Sequence, residues 1–233
     1  MQRIIVIPAR LQSKRLPRKP LLRASEKPLI QWMYELGEKV QPDELVVASP
    51  DDEVLAAVER FGGRAMMTYM KHPSGTHRTS QVAWELWDGS PSSQVMSLQA
   101  DEPMLDPKDL IRMFDVAAEM RWGITTLVSP IKTEDQLKDN NLVKAAYSGT
   151  QCYWFSRAPM ASSYGHIGVY LFRTPILMEL KSLNPTRLSE AESLEQLTWI
   201  EAGHRVHAME IDEIPLSINT QEDFEKFLLM KRN

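Results

Sequence analysis

Two clusters of charge in this chain could handle phosphate. The first is Pro8-Ala9-Arg10-Leu11-Gln12-Ser13-Lys14-Arg15-Leu16-Pro17-Arg18-Lys19-Pro20-Leu21. It sets five cations within ten residues of a protein whose net charge is −4. Arginine grips phosphate oxygens in pairs and lysine adds a point charge, so cations gathered this way suit a polyphosphate. Pro17 and Pro20 stiffen the loop and reduce the entropy lost on binding. The second cluster is Leu98-Gln99-Ala100-Asp101-Glu102-Pro103, where two acids close an apolar run. A carboxylate there can hold Mg²⁺, which binds through one or two carboxylates plus substrate phosphates. Such an ion neutralises charge during in-line displacement at phosphorus. Taken alone, Asp-Glu-Pro reads equally well as the start of a helix.

Two further groups could read the rest of a ligand. Ser74-Gly75-Thr76-His77-Arg78 precedes a helix. Small residues there let backbone approach a ligand, and a helix N-terminus favours anions. The alternative is a simple helix cap by Ser74 or Thr76. In the second half, Arg157 can bind a carboxylate, while His166, Glu192 and Gln196 can read hydroxyls. Glu192 and Gln196, spaced i and i+4, would share one helix face. His166 could instead be a satisfied core histidine, and Glu192 a solvated surface acid.

The elements that must position these residues alternate. Ile4 to Ile7 is a continuous β-branched run, as expected of a strand covered on both faces. A helix follows over Leu29 to Val40, then strands at Leu45–Ala48 and Arg64–Thr68 flanking a helix from Asp51 through Phe61. Asp51, Asp52 and Glu53 suit that helix's dipole, and Gly62-Gly63 ends it. A helix over Thr76–Leu86 and a strand over Val95–Leu98 complete the first half. This rhythm predicts an α/β fold of Rossmann-like type with a mainly parallel central sheet. Ligands in such sheets bind beyond the carboxyl ends of the strands, where both charge clusters fall. The second half is less regular. Strands are expected at Ile124–Val128, Val143–Tyr147, Ile167–Phe172 and Val206–Ile211. Helices are expected at Ser189–Ala202, stopped by Gly203, and at Gln221–Met230.

Composition excludes several classes. A length of 233 residues with 43% hydrophobic content supports one domain, residues 1–233, with a full core. The acidic balance gives no electrostatic case for nucleic acid or an anionic membrane. The single cysteine, Cys152, cannot form an intrachain disulfide and reads as a buried, inert thiol. No apolar run approaches the roughly 20 residues of a membrane span, and the N-terminus lacks a signal pattern, so a cytoplasmic protein is expected. The basic loop has neither the Gly-Lys-Ser/Thr of a Walker A loop nor the glycine fingerprint of a dinucleotide site.

The loop Pro8–Leu21 resembles the nucleotide-binding loop of the 3-deoxy-manno-octulosonate (Kdo) cytidylyltransferases, Pro-Ala-Arg-x-x-Ser-x-Arg-Leu-Pro-x-Lys-Pro-Leu, at every fixed position. Ser74-Gly75-Thr76 and Arg78 match that family's Ser-Gly-Thr-Glu/Asp-Arg, with His77 in place of the acid. Gln99-Ala100-Asp101-Glu102-Pro103 matches its Gln-Gly-Asp-Glu-Pro, with Ala100 in place of glycine. Phe155-Ser156-Arg157-Ala158, His166-Ile167-Gly168-Val169-Tyr170 and Leu194-Glu195-Gln196-Leu197 resemble its acceptor motifs. The resemblance implies a glycosyltransferase-A type nucleotidyltransferase fold, 1–130 serving mainly the nucleotide and 131–233 mainly the acceptor and a homodimer contact, with a small accessory β region. It implies transfer of CMP from CTP to a small acidic sugar with Mg²⁺ as cofactor. The implied catalytic residues are Arg10, Arg15, Lys19 and Asp101. Nucleotide contacts would come from Ala9, Arg10, Ser13, Lys19, Ser74, Gly75, Thr76, Arg78 and Gln99. Acceptor contacts would come from Arg157, His166, Tyr170, Glu192 and Gln196, and metal contacts from Asp101 and Asn219. The acceptor half departs from the pattern. Only Ala158–Gly165 separate Arg157 from His166, Thr198 stands for an arginine, and Asn219 stands for the second metal-binding aspartate. A different acidic acceptor, such as a modified ulosonate or a phosphonate, and a non-catalytic nucleotide-binding protein are the alternatives.

Overall fold

The computed structural model describes residues 1–13, 15–161 and 163–231. The chain runs β1 (Arg3–Pro8), β2 (Arg23–Ala24), β3 (Lys27–Pro28), α1 (Leu29–Lys39), β4 (Glu44–Ser49), α2 (Asp52–Arg60), β5 (Ala65–Met67), α3 (Gly75–Leu86) and β6 (Gln94–Leu98). It continues α4 (Pro107–Glu119), β7 (Ile124–Pro130), α5 (Glu134–Lys138), β8 (Lys144–Ser148), β9 (Gln151–Ser156), β10 (Ser163–Arg173) and α6 (Thr174–Leu180). Last come α7 (Arg187–Glu192), α8 (Glu195–Glu201), β11 (Val206–Glu210) and α9 (Gln221–Lys231).

Nine strands form one sheet in the order β5-β4-β1-β6-β10-β7-β11-β9-β8. The first four are parallel, as the alternation of apolar runs and helical segments predicts. Strand β1 lies between β4 and β6, where the chain order reverses, so a crevice opens beyond its carboxyl end. Strand β10 then enters antiparallel to both β6 and β7, while β7 and β11 run parallel. The start of β10 also pairs with β8, so β7, β11, β9, β8 and β10 close into a small ring. That ring is the accessory β region.

The pleat divides the core. Ile5 and Ile7 face α1 and α4, packing with Met33, Leu110 and Phe114. Ile4 and Val6 face the other side, with Val82 and Ala83 of α3 and Leu177 of α6. A third cluster matters most for the site. Leu16, in the middle of the basic loop, is buried with Ile218, Phe224 and Phe227. Apolar burial at Leu16 therefore pins the loop to the segment that carries Asn219.

Two expectations change. The helix expected over Ser189–Ala202 is broken: Ser193 sits in the left-handed region at φ 55°, ending α7, and α8 restarts at Glu195. Glu192 and Gln196 therefore lie on different helices and share no face. The segment 103–123, to which the sequence pattern assigns no element, holds α4. Its signals are present: Asp106 caps it by accepting from the Lys108 N–H at 2.9 Å, Pro107 occupies the first turn, and Leu110, Met113, Phe114 and Ala117 repeat at helical spacing.

Candidate functional site

A cleft of about 910 Å³ opens at the carboxyl ends of β1 and β6. Its lining includes Pro8, Ala9 and Arg10 after β1, Gln99, Ala100 and Asp101 after β6, and Ser74, Gly75 and Arg78 at the start of α3. Three motifs separated by up to some ninety residues thus meet because parallel strands end on the same side.

The basic loop is held from both ends. The Ala9 N–H donates to the Ala48 carbonyl at 2.9 Å, and the Leu11 N–H to Asp51 Oδ2 at 2.7 Å. The Arg18 N–H closes the loop on the Leu11 carbonyl at 3.1 Å. Of the five cations, Lys14 lies outside the described residues. Arg18 turns away and pairs with Glu53 on α2, so it serves the loop and not the cleft. Lys19 lines the cleft and donates to Asp101 Oδ2 at 2.8 Å and to the Ile218 carbonyl at 3.1 Å. Arg15 donates to the amide oxygens of Asn141, at 2.5 Å, and Asn219, at 3.1 Å. Neutral partners orient this guanidinium without cancelling its charge. Among the described residues, neither Arg10 nor Arg15 has an acidic ion-pair partner. Unpaired arginines at a cleft are set up for an anion.

Arg78 lies under the cleft floor, donating to Thr68 Oγ1 and to the Tyr69 carbonyl at 3.2 Å. Burial and then the facing Arg10 lower its pKa, while Asp51 opposes them. Ser74 caps α3, its hydroxyl accepting from the His77 N–H at 3.3 Å. Glycine at 75 lets the Gln99 amide lie close: a Cβ there would sit 3.1 Å from Gln99 Nε2.

The two acids after β6 divide their roles. The Asp101 side chain is 27% exposed at the cleft. Glu102 is buried, accepting from Ser217 Oγ at 2.7 Å and from the Gly168 N–H at 3.3 Å. Burial first, and Asp101 second, push its pKa from 4.5 up to about 8. A bulge in β10 between Ile167 and Tyr170 brings Gly168 to it, and a Cβ on Gly168 would lie 3.1 Å from its oxygen. The Ile218 N–H donates to the Asp101 carbonyl at 2.8 Å, which sets Asn219 beside this corner.

The acceptor candidates separate into two groups. Arg157 follows β9; its Nε donates to the Glu192 carbonyl at 3.2 Å and its Nη1 to the Asn140 carbonyl at 3.1 Å. Burial and then Arg15 lower its pKa, while Glu192 opposes them. Arg15 lines the cleft, whereas Arg157 and Glu192 lie outside that lining. The Glu192 carboxylate takes Ser156 Oγ at 3.1 Å and the Arg157 N–H at 3.0 Å, which makes it a brace for this turn and not a solvated surface acid. His166, Tyr170 and Gln196 are buried side chains outside the cleft lining. His166 meets Thr126 Oγ1 at 2.9 Å and packs against Phe155 and Tyr170, matching the core-histidine alternative. Burial drives its pKa from 6.5 to about 3, so it is neutral and moves no proton near pH 7.

That shift has a sign. The unfolded chain protonates His166 near its ordinary value of 6.5 while the folded chain does not, so its contribution to stability is present above pH 6.5 and lost as pH falls toward 3. The limiting slope is about 1.4 kcal/mol per pH unit. His166→Gln keeps a donor for Thr126 without titrating. Urea unfolding at pH 7 and pH 5 should show the wild type losing more stability than the variant; equal losses would contradict this placement.

Three residues outside the predicted set help build the site. Lys144, on β8, is buried, with Nζ on the carbonyls of Asp139 at 2.5 Å and Arg157 at 3.1 Å. Its signal was a lysine inside an apolar strand run. Asn141 carries Arg15 and has no pattern to reveal it. Glu195 accepts from Thr76 Oγ1 and is half-buried. Cys152 is buried, with its thiol pushed up to about 12, as expected of an inert group. Among the described residues no helix is long and apolar enough to cross a membrane.

Comparison with known proteins agrees with this geometry. A family profile described as "Cytidylyltransferase" matches residues 4–211. A 3-deoxy-manno-octulosonate cytidylyltransferase of Thermodesulfovibrio yellowstonii is 36% identical, over 97% of this chain and 96% of that protein. One from Leptospira interrogans is 35% identical, over 97% and 94%. A structure of CMP:2-keto-3-deoxy-manno-octonic acid synthetase complexed with CTP superposes with a TM-score of 0.90 at 32% identity, covering 99% of this chain and 98% of that one. A putative glucose-1-phosphate thymidylyltransferase from Bacillus anthracis, 14% identical with a TM-score of 0.75, shares the fold. With that coverage at both ends of the alignment, the chain belongs to the cytidylyltransferase family and, within it, to the 3-deoxy-manno-octulosonate cytidylyltransferases.

Proposed function

We propose that this protein transfers CMP from CTP to Kdo, releasing pyrophosphate. The observation that carries the reading is Arg10, Arg15 and Lys19 gathered with Asp101 in one cleft of about 910 Å³ at the sheet's switch point. Its support is the CTP complex of a relative that superposes over nearly the whole chain. In the reaction, the acceptor hydroxyl oxygen forms a bond to the α-phosphorus of CTP. The bond from that phosphorus to the bridging oxygen of the β-phosphate breaks, pyrophosphate leaves, and the hydroxyl proton passes to solvent.

The chain's own residues supply orientation and charge. Arg10 and Arg15 offer unpaired guanidiniums to the phosphates, and Lys19 adds an ammonium already aligned by Asp101. Gln99, Ser74, Gly75 and Arg78 take the nucleoside end, Ala9 and Ser13 the loop side; Thr76, expected among these contacts, is buried outside the lining. Arg157 takes the acceptor's carboxylate. Glu192 holds it, while the buried His166, Tyr170 and Gln196 support that pocket from behind.

The site fits magnesium only in the substrate-borne form. Among the described residues no group of three or more His, Cys, Asp or Glu could hold a metal by itself. Asp101, half-open at the cleft, meets the lower demand of an ion that arrives on phosphates. When bound, magnesium would be held by Asp101 with the Asn219 amide oxygen alongside, and would neutralise charge on the phosphates. A cytoplasmic homodimer is part of the same proposal.

The test is pyrophosphate release with CTP, ATP, GTP or UTP against a panel of acidic sugars. Release with CTP and Kdo is the expected result. Release only with a different acid would replace the acceptor, an outcome favoured by the six-residue link between β9 and β10. Tight CTP binding with no release for any acceptor would leave a nucleotide-binding protein.

A further inference from the structure

Residues 192–195 tie the acceptor arginine to the nucleotide loop. Glu192, the last residue of α7, holds Ser156 and the Arg157 N–H with its carboxylate and Arg157 Nε with its carbonyl. Ser193 follows at φ 55°, ψ 46° and lines the cleft. Leu194 is buried, and Glu195 opens α8. The Glu195 carboxylate accepts from Thr76 Oγ1. Burial raises its pKa, while hydrogen bonds from Ser74 and Thr76 oppose the rise. Helix α8 is itself fixed, with Trp199 edge-on to Tyr170 and Phe172 at 5.0 and 5.5 Å between ring centroids.

Ser74 and Gly75 line the cleft, whereas Thr76 is buried and Glu195 lies behind it. Glu195 therefore meets the cleft by way of the first turn of α3. A non-glycine residue in the left-handed region persists only where its surroundings over-determine it. Here two carboxylates, one on each side of Ser193, are anchored to two different loops. Bonds to a carboxylate are short and directional, which suits them to holding a loop in register.

We propose that Glu195 is a positioning residue that sets the Ser74–Thr76 loop against the nucleotide and, through Ser193 and Glu192, fixes that loop relative to Arg157. The proposal rests on the reading that the cleft takes a nucleotide beside an acceptor held by Arg157. Glu195 lies outside the cleft lining, and its removal is expected to reach both substrates.

The experiment compares Glu195→Ala, Glu195→Gln, Thr76→Val and the double variant Thr76→Val/Glu195→Ala. Glu195→Ala should raise KM for CTP about tenfold and KM for the acceptor several-fold, the scale of a coupled pair. Glu195→Gln keeps an acceptor oxygen for Thr76 and should restore most of both. In the Thr76→Val background the alanine change should add less than about twofold to KM for CTP, since the contact is already gone. Unchanged KM values in an active wild-type background, or fully additive effects, overturn the proposal. Amide hydrogen exchange reads the same link without chemistry. Glu195→Ala should speed exchange both at 74–78 and at 155–158; acceleration confined to 74–78, or none, overturns the link to Arg157. A wild type that does not turn over CTP would count against the functional reading alone, because the exchange result still decides this one.

Discussion

Asp101→Asn is expected to lower kcat by roughly 10²–10³, about 3–4 kcal/mol of transition-state stabilisation. The reason is local. Asp101 is the one acid after β6 that reaches the cleft, since Glu102 is turned inward to Ser217 and Gly168. The change removes a charge that aligns Lys19 at 2.8 Å and that would bind a metal carried on the triphosphate. It keeps the volume and leaves the Ile218 N–H bond to the residue 101 carbonyl intact. Circular dichroism should therefore match the wild type. Asn219 brings no second negative charge. Electron paramagnetic resonance with Mn²⁺ and CTP should show weaker metal binding in the variant. Near-normal turnover together with unchanged Mn²⁺ binding would refute the metal role.

Arg157→Ala is expected to reduce kcat/KM for the acceptor about 10²-fold, near 2.7 kcal/mol, while KM for CTP changes little. Arg157 has no acidic ion-pair partner among the described residues, so its charge is free for a carboxylate. Its guanidinium is held instead by two carbonyl oxygens. Arg157→Lys should recover only part of the loss, since a point charge cannot reproduce a planar fork. Steady-state kinetics with each substrate varied in turn decides the matter. A variant that loses CTP affinity and acceptor affinity equally would place Arg157 on the phosphates instead.

Much of this site was legible because its chemistry is concentrated in short runs. The loop Pro8–Leu21 needs no tertiary information: its cations, its prolines and the strand before it are contiguous. Asp101 was legible for the same reason, as an acid that ends an apolar run. What sequence could not supply was the direction each side chain takes. Arg18 and Lys19 are neighbours of the same charge, yet one pairs with Glu53 on α2 and the other with Asp101. Asp101 and Glu102 are neighbours as well, yet Glu102 is the buried one, held by Ser217 and the Gly168 N–H.

In the second half the limits were of two kinds. Ser193 interrupts a helical pattern without a proline or glycine to announce it, because tertiary anchors at Glu192 and Glu195 hold the turn. That is why Glu192 and Gln196 were expected on a single face. Helix α4 carries its cap, its first-turn proline and its periodicity in the sequence itself. The antiparallel strand β10 lay beyond local pattern, since a buried apolar run carries no mark of its direction. His166 shows the opposite case. Its apolar flanks already pointed inward, and it is buried beside Thr126.

The most direct test of the central claim is mass spectrometry of a mixture of enzyme, CTP, Mg²⁺ and Kdo. A CMP-Kdo ester and one pyrophosphate per ester are expected, with neither formed when CTP or Kdo is left out. Pyrophosphate or CMP released without an ester, or intact CTP after prolonged incubation, would contradict it.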